Sequence, residues 1–288
     1  MKFVISAAFQ PPEHLVPIAI AADEAGYEAI ASSDHAVYPE TLDTPYPYTE
    51  DGVRRYDETS HFPDPWVLAG ALSSVTKRLR FTTNVYVLPM RNPFMAAKQI
   101  ATAAALSNDR VTLTIGVGWS NLEFKLVGQE FKRRGARTDE MLEVIQKALT
   151  GEWFEHHGEF YDFDRLKLTP PIPTAPIPVW VGGISDFALR RAARNDGWLS
   201  DLQTSAEIIE CIDKVRAYRK DLGRSDTFDV MASASDAHGV DGYQKLGDAG
   251  VNHILTMPWA FYHGLTEDLD KKIDGIKRFA DDVITKMS

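Results

Sequence analysis

The chain has 288 residues, 44% hydrophobic and 25% charged, and its 31 basic and 41 acidic side chains give a formal net charge of −10. This is the composition of a soluble globular protein, and the acidic excess argues against nucleic acid or an anionic membrane as a partner. No run approaches the roughly 20 apolar residues of a membrane span, and the single cysteine, Cys211, excludes an intrachain disulfide framework.

Segment 3–8 is apolar behind Lys2, but Gln10-Pro11-Pro12 ends it without a small-residue cleavage site. It therefore predicts a first strand of a cytoplasmic protein rather than a secretion signal. Leu15, Ile18, Ala22 and Ala25 form a helical stripe that Gly26 stops. A strand over 28–32 follows, then a stretch, 36–62, rich in Pro, Tyr and acidic residues. Pro63-Asp64-Pro65 opens a helix over 66–75, and the β-branched run 80–87 is the third strand. Pro93 opens a helix over 94–106 before a strand over 111–117, and Thr138-Asp139-Glu140 opens another over 141–149. A second irregular stretch, 152–176, contains His156 and His157 and precedes a strand over 178–181. Helices over 186–194, 205–222, 242–249 and 265–284 then alternate with strands over 197–200, 228–232 and 253–257. Cys211 joins Ile208, Ile212 and Val215 in a helical stripe and reads as core.

Eight strand-helix units predict an α/β fold: one (β/α)8 TIM barrel domain spanning 1–288, with loop insertions after strand two and before strand five. Barrel enzymes carry their chemistry at the carboxyl ends of the strands. Asp34 and His35 sit just past such an end, where packing alone does not call for an acid and an imidazole. Gly116-Val117-Gly118-Trp119 follows strand four; Asn121 replaces the third glycine of a dinucleotide fingerprint, which argues against that site, and the glycines read as a tight turn or as a place where a ligand approaches the backbone. Gly182-Gly183 follows strand five and opens a helix, whose free N–H groups attract phosphate. Asn84 is out of place inside a β-branched strand, as a satisfied buried amide or as a backbone position facing a ligand. Lys132, Arg133, Arg134 and Arg137 form a basic cluster, read as a solvated face or an anion anchor. No metal-ligand spacing, seryl-nucleophile motif or phosphate loop is present, so no metal is expected.

In order, Gly26 to Ile30 with Ser33-Asp34-His35, Thr83-Asn84-Val85 through Pro93, Gly116 to Trp119, Arg134 to Glu140, Pro178 to Gly183 and Asp196-Gly197-Trp198 resemble the bacterial luciferase-like family of flavin and deazaflavin oxidoreductases. Within it the chain looks most like members that use the deazaflavin coenzyme F420. The resemblance implies a flavin-like ring at the carboxyl end of the barrel, with Asp34 and His35 in contact with it and His35 the proton handler. It implies a non-proline cis peptide at Asn84–Val85 behind the ring. Gly118, Trp119, Ser120, Gly182, Gly183 and Ser185 match positions that hold the ring edge or the phosphate. Where the family's sugar-phosphate dehydrogenases place a catalytic glutamate, this chain has Asn121, with Glu123 two residues on. That argues against a sugar phosphate and leaves the proton donor unassigned.

The expected function is hydride transfer between F420 and a small organic substrate. The first alternative is an FMN-dependent monooxygenase, which requires a flavin reductase as partner. Others are a cofactor-free hydrolase or lyase using Asp34 and His35, and a non-catalytic flavin-binding barrel. Relatives imply a homodimer. Aromatic residues in 36–62 and at Trp259, Phe261 and Tyr262 suggest either a pocket for an apolar or ring-bearing substrate or a dimer contact.

Overall fold

The computed structural model describes residues 1–49 and 51–287; of the predicted domain, Glu50 and Ser288 lie outside the described residues. The strands are β1 (Lys2–Ser6), β2 (Ala29–Ser32), β3 (Arg80–Thr83), β4 (Tyr86–Val87), β5 (Leu113–Gly116), β6 (Phe154–His157), β7 (Asp162–Leu166), β8 (Val179–Gly182), β9 (Gly197–Gln203), β10 (Asp229–Ala234) and β11 (His253–Thr256). Nine of them form one sheet in the order β3-β2-β1-β11-β10-β9-β8-β5-β4, and every strand pairing in it is parallel.

β3 and β4 are the two halves of the predicted strand 80–87, broken at a cis peptide between Asn84 and Val85. The sheet closes on itself because Phe81 N–H donates to Arg110 O (2.7 Å) and Thr112 N–H to Phe81 O (2.9 Å), while β4 pairs with β5. Eight strand positions therefore make the barrel, as the sequence predicts.

Both faces of these strands are covered, which is why they read as apolar runs rather than as alternating ones. Val4, Ala29, Ala31, Trp180, Leu199, Met231 and Leu255 fill the lumen. Their neighbours Phe3, Ile5, Ile30, Val179, Val181 and Ile254 face the helices and join the larger core. The helices start where side chains can take their first N–H groups. Asp64 accepts from Trp66 and Val67 N–H at 3.0 Å, and Asn92 accepts from Phe94 N–H at 3.0 Å. Thr204 and Glu207 form a capping box. Among the described residues no helix is long and apolar enough to cross a membrane.

The stretch before the fifth barrel position is more ordered than a loop. It contains the antiparallel hairpin β6–β7, which is mostly exposed and so lacks the apolar pattern that would mark it. Glu140 anchors it, accepting from the N–H groups of Phe160 (3.0 Å) and Tyr161 (2.8 Å). Cys211 is core as expected, and burial pushes its thiol up.

His253 lies at the amino end of the lumen, 3% exposed, packed edge-on against Trp180 at 4.8 Å. Burial, with smaller contributions from the charge of Lys2, holds its imidazole down to about 4. The unfolded chain binds this proton near pH 6.5 and the folded chain does not. Stability from His253 is thus complete above pH 6.5 and drains as pH falls toward 4, by up to roughly 3 kcal/mol. Histidine NMR titration should show a ring still neutral at pH 5; a charged ring there refutes the assignment.

Candidate active site

The carboxyl ends of the strands meet around the Asn84–Val85 peptide. Ser33 Oγ donates to Asn84 Oδ1 (3.1 Å), and Asn84 N–H donates to Ser32 O (2.9 Å), which ties the end of β2 to the break between β3 and β4. Asn84 is therefore a half-buried amide whose oxygen accepts one hydrogen bond at the end of β2. The Val85 side chain then enters the space that glycines leave. A Cβ at Gly116 would lie 2.4 Å from Val85 Cγ2, and one at Gly182 would lie 2.4 Å from Val85 Cγ1. These glycines leave room for the protein's own Val85 side chain. Gly182→Ala is expected to cost about 1–3 kcal/mol, and Val85→Ala in the same chain should restore most of it. Urea denaturation of the two variants checks this; equal stability of Gly182→Ala and wild type would refute it.

Asp34 is buried and paired with Arg91 rather than with His35. Arg91 Nη1 and Nη2 donate to its two carboxylate oxygens at 2.6 Å each, and Val87 N–H donates to Oδ2 at 2.8 Å. The acid/base pair suggested by the adjacency of Asp34 and His35 is thus replaced by a bidentate ion pair that locks β2 against β4. Burial opposes the charge on Arg91, but Asp34 outweighs it and raises the guanidinium.

His35 has a different carboxylate. Its Nδ1 lies 3.0 Å from Glu123 Oε2, and Glu123 Oε1 accepts from Ala36 N–H at 2.9 Å. Glu123 is 3% exposed. Burial alone would raise its carboxyl, yet the hydrogen bond and charge of His35 and the N–H groups of Ala36 and Val37 hold it below the usual carboxylate range. An ionised Glu123 can only accept, so Nδ1 carries the proton and Nε2 is the free ring nitrogen. Sequence reading noted Glu123 without a role. Its signal is an acid in the first turn of helix Asn121–Leu126, close behind the cap Ser120. Asn121 points elsewhere, its Nδ2 donating to Asp43 Oδ2 at 2.9 Å.

The imidazole is walled by aromatic rings, Tyr56 and Phe62 at 5.0 Å and Trp119 at 6.1 Å between centroids. Tyr56 and Phe62 come from the stretch after β2, whose described residues 51–62 thus reach the mouth. Arg55 Nη1 reaches Asp201 Oδ2 at 3.3 Å, and Tyr46 packs on Trp119 at 5.2 Å. Trp259 and Tyr262 do not join the mouth. Trp259 is buried against Gly275, and the Tyr262 hydroxyl donates to Asp282 (2.9 Å).

Opposite lies the start of helix Asp186–Arg194, after Gly183 at φ +116. Ser185 caps it, accepting from Ala188 N–H at 3.3 Å. The earlier N–H groups of the turn stay available to an acceptor. Asp186, the acid in that turn, accepts from Arg190 Nε at 2.7 Å and from the Tyr218 hydroxyl, which offsets its charge. Ser120 likewise caps a helix, accepting from Glu123 N–H at 3.4 Å. Gly118, at φ +74, takes Arg134 Nε on its carbonyl at 2.9 Å. The basic cluster is divided. Arg133 pairs with Glu159 in solvent, while Arg137 is buried and donates to Pro89 O (3.1 Å) and Glu130 O (2.6 Å).

Residues 1–238 match the family model described as luciferase-like monooxygenase. An uncharacterized protein of Mycobacterium tuberculosis is 39% identical over 290 residues, covering all of both chains. The F420-dependent glucose-6-phosphate dehydrogenase of Nakamurella multipartita is 30% identical over 195 residues, 66% of this chain and 52% of the relative. The coenzyme F420-dependent tetrahydromethanopterin reductase of Methanopyrus kandleri superposes with a TM-score of 0.77 at 15% identity, over 100% of this chain and 99% of that one, a likeness of fold. The chain belongs to the luciferase-like family of flavin- and F420-dependent oxidoreductases.

Proposed function

We propose that this protein transfers hydride between coenzyme F420 and a small organic substrate, with His35 handling the substrate proton. The observation that carries the reading is the Glu123–His35 pair at the barrel mouth, Nδ1 to Oε2 3.0 Å, beside the Asn84–Val85 bulge. The residues fit a flavin-type group. Val85, seated between Gly116 and Gly182, forms a smooth apolar bulge on which a flat ring can rest. The capped, charge-offset start of helix Asp186–Arg194 suits a phosphate. Such a cofactor, when bound, supplies the two-electron hydride chemistry that no side chain has.

The chain's own residues then divide the remaining work. Val85, Trp119 and Gly183 position the ring, and Ser185 and the N–H groups near it hold the phosphate. Segment 36–62 excludes water. Glu123 fixes the His35 tautomer, so that Nε2 accepts a hydroxyl proton or, once protonated, returns it to a carbonyl oxygen. Asp34 holds the wall on which His35 sits. The relatives named as F420-dependent, 30% identical over 195 residues, favour that cofactor.

A second reading, an FMN-dependent monooxygenase served by a reductase, is favoured by the description of the matching family. Titrating the purified protein with F420 and with FMN, followed by fluorescence, decides between them. Saturable binding of F420 is expected. Tight FMN binding without F420 affinity overturns the first reading, and binding of neither overturns both.

A further inference from the structure

The amino end of the barrel, on the side away from the mouth, is not filled. The strand starts enclose a cavity of about 190 Å³ there, whose lining includes Lys2, Glu28, Arg80, Trp180, Asp229 and His253. It has room for roughly six waters at ~30 Å³ each, far too little for a flavin and enough for a small organic molecule. Lys2 and Glu28, the more exposed of these side chains, pair with each other at 3.1 Å.

The cavity carries polar groups that the protein itself leaves unused. Arg80 spends only Nη2, on Val111 O (3.0 Å) and Thr112 Oγ1 (3.5 Å). The Asp229 side chain spends only Oδ1, which accepts from Asn252 Nδ2 at 2.8 Å. Among the described residues neither Arg80 nor Asp229 has an ion-pair partner. The Nε1–H of Trp180, a residue 5% exposed, is buried without an acceptor. Asn252 Oδ1 accepts from Val230 N–H (2.8 Å), so His253 Nδ1, 2.7 Å from the same oxygen, carries the ring proton. His253 Nε2 is then an acceptor without a donor.

The placement of the two free charges follows from the topology. β3 and β10 lie four places apart around the eight-position barrel, so Arg80 and Asp229, which start those strands, stand on opposite sides of the cavity. A simple anion there would meet the field of Asp229 and Glu28, and a simple cation that of Arg80 and Lys2. An apolar guest would leave Arg80 and Asp229 dry and unpaired. A molecule with one charge of each sign answers both sides at once.

We infer that this cavity binds a small zwitterion, an amino acid that lies against the Trp180 indole with its carboxylate on Arg80 and its ammonium on Asp229 and His253 Nε2. The site is separate from the mouth and owes nothing to the oxidoreductase reading.

The test uses the full chain labelled with ¹⁵N in its indole rings, with the Trp180 and Trp119 signals assigned by their loss in Trp180→Phe and Trp119→Phe. L-Alanine and 4-aminobutyrate are the probes, since they place the two charges at a short and a long separation. Propionate and butyrate keep only the carboxylate of each, and ethylammonium and butylammonium only the ammonium. At least one amino acid should shift the Trp180 indole saturably at millimolar concentration. Its two halves should bind about tenfold or more weakly, a difference of about 1.4 kcal/mol or greater. Asp229→Asn should weaken the amino acid about tenfold and leave the matching carboxylate unchanged. The absence of a saturable Trp180 shift with both amino acids at tens of millimolar, as in a cavity that takes water alone, overturns the inference. So does a half that binds as tightly as the whole, a shift confined to Trp119 at the mouth, or an unchanged affinity in folded Asp229→Asn. Wholes and halves are compared on the unaltered protein, so that comparison stands whether or not the variant folds.

Discussion

Replacing His35 with Asn is expected to cut turnover about 10²–10⁴-fold while leaving cofactor affinity within a factor of about two. What decides this is which groups near the Asn84–Val85 peptide can exchange a proton near neutrality. Asp34 is held by Arg91 and Val87 N–H through both oxygens, so it has no role to give up to substrate. Glu123 is buried, faces His35 and is held ionised. Tyr46 and Tyr56 are raised too far to act as bases. Among the described residues His35 Nε2 is left without a hydrogen-bond partner.

Glu123→Gln keeps the shape and removes the charge that sets the tautomer, so it should lower turnover about 10²-fold with little change in cofactor affinity. Steady-state rates with the accepted cofactor, beside a binding titration, check both variants. Wild-type turnover in His35→Asn would remove His35 from the mechanism. Because the folded Glu123 carboxyl is depressed, its stabilising contribution is complete above the unfolded value of about 4.3 and is lost as pH falls through the folded one. The dyad is therefore intact across the neutral range and fails only in acid.

Asp34→Asn should destabilise the fold by about 3–5 kcal/mol, because it strands the Arg91 guanidinium in a largely dry pocket. The Asp34 side chain is 3% exposed and that of Arg91 20%, so solvent cannot replace the lost partner. Breaking an exposed pair such as Arg133 with Glu159 should leave stability nearly unchanged, because water replaces the lost partner. Thermal unfolding should show a fall in Tm on the order of 10 °C. In the double variant Asp34→Asn with Arg91→Leu, part of the loss should return, since no unpaired charge remains. A Tm within a degree of wild type for Asp34→Asn would mean that the ion pair is not what holds β2 to β4.

Much of the barrel was legible in one dimension. Parallel strands covered on both faces must be apolar throughout, and the helices between them must carry a stripe and a cap. Runs such as Phe3 to Ile5 and Val179 to Val181, and stops such as Gly26, follow from those local demands. The hairpin β6–β7 escaped because an exposed pair of short strands needs no apolar pattern, only the anchor of Glu140. Placement of Asp34 and His35 at the mouth was also readable, since it depends only on where a strand ends.

Which partner each of them took was not readable, because that depends on contacts 57 and 88 residues away along the chain. Adjacent residues at the end of a strand point to opposite sides, so Asp34 turns to Arg91 and His35 to Glu123. The glycines that end β5 and β8 likewise marked a place of close approach, but only folding brings Val85 against both. By itself the sequence determined the barrel and the end of it at which the site is built, since these follow from periodicity and from residue type. Only the tertiary structure decided which acid serves the imidazole and which merely braces the wall. Hydrogen bonds and ion pairs act over about 3 Å, and no spacing along the chain reports a distance through space.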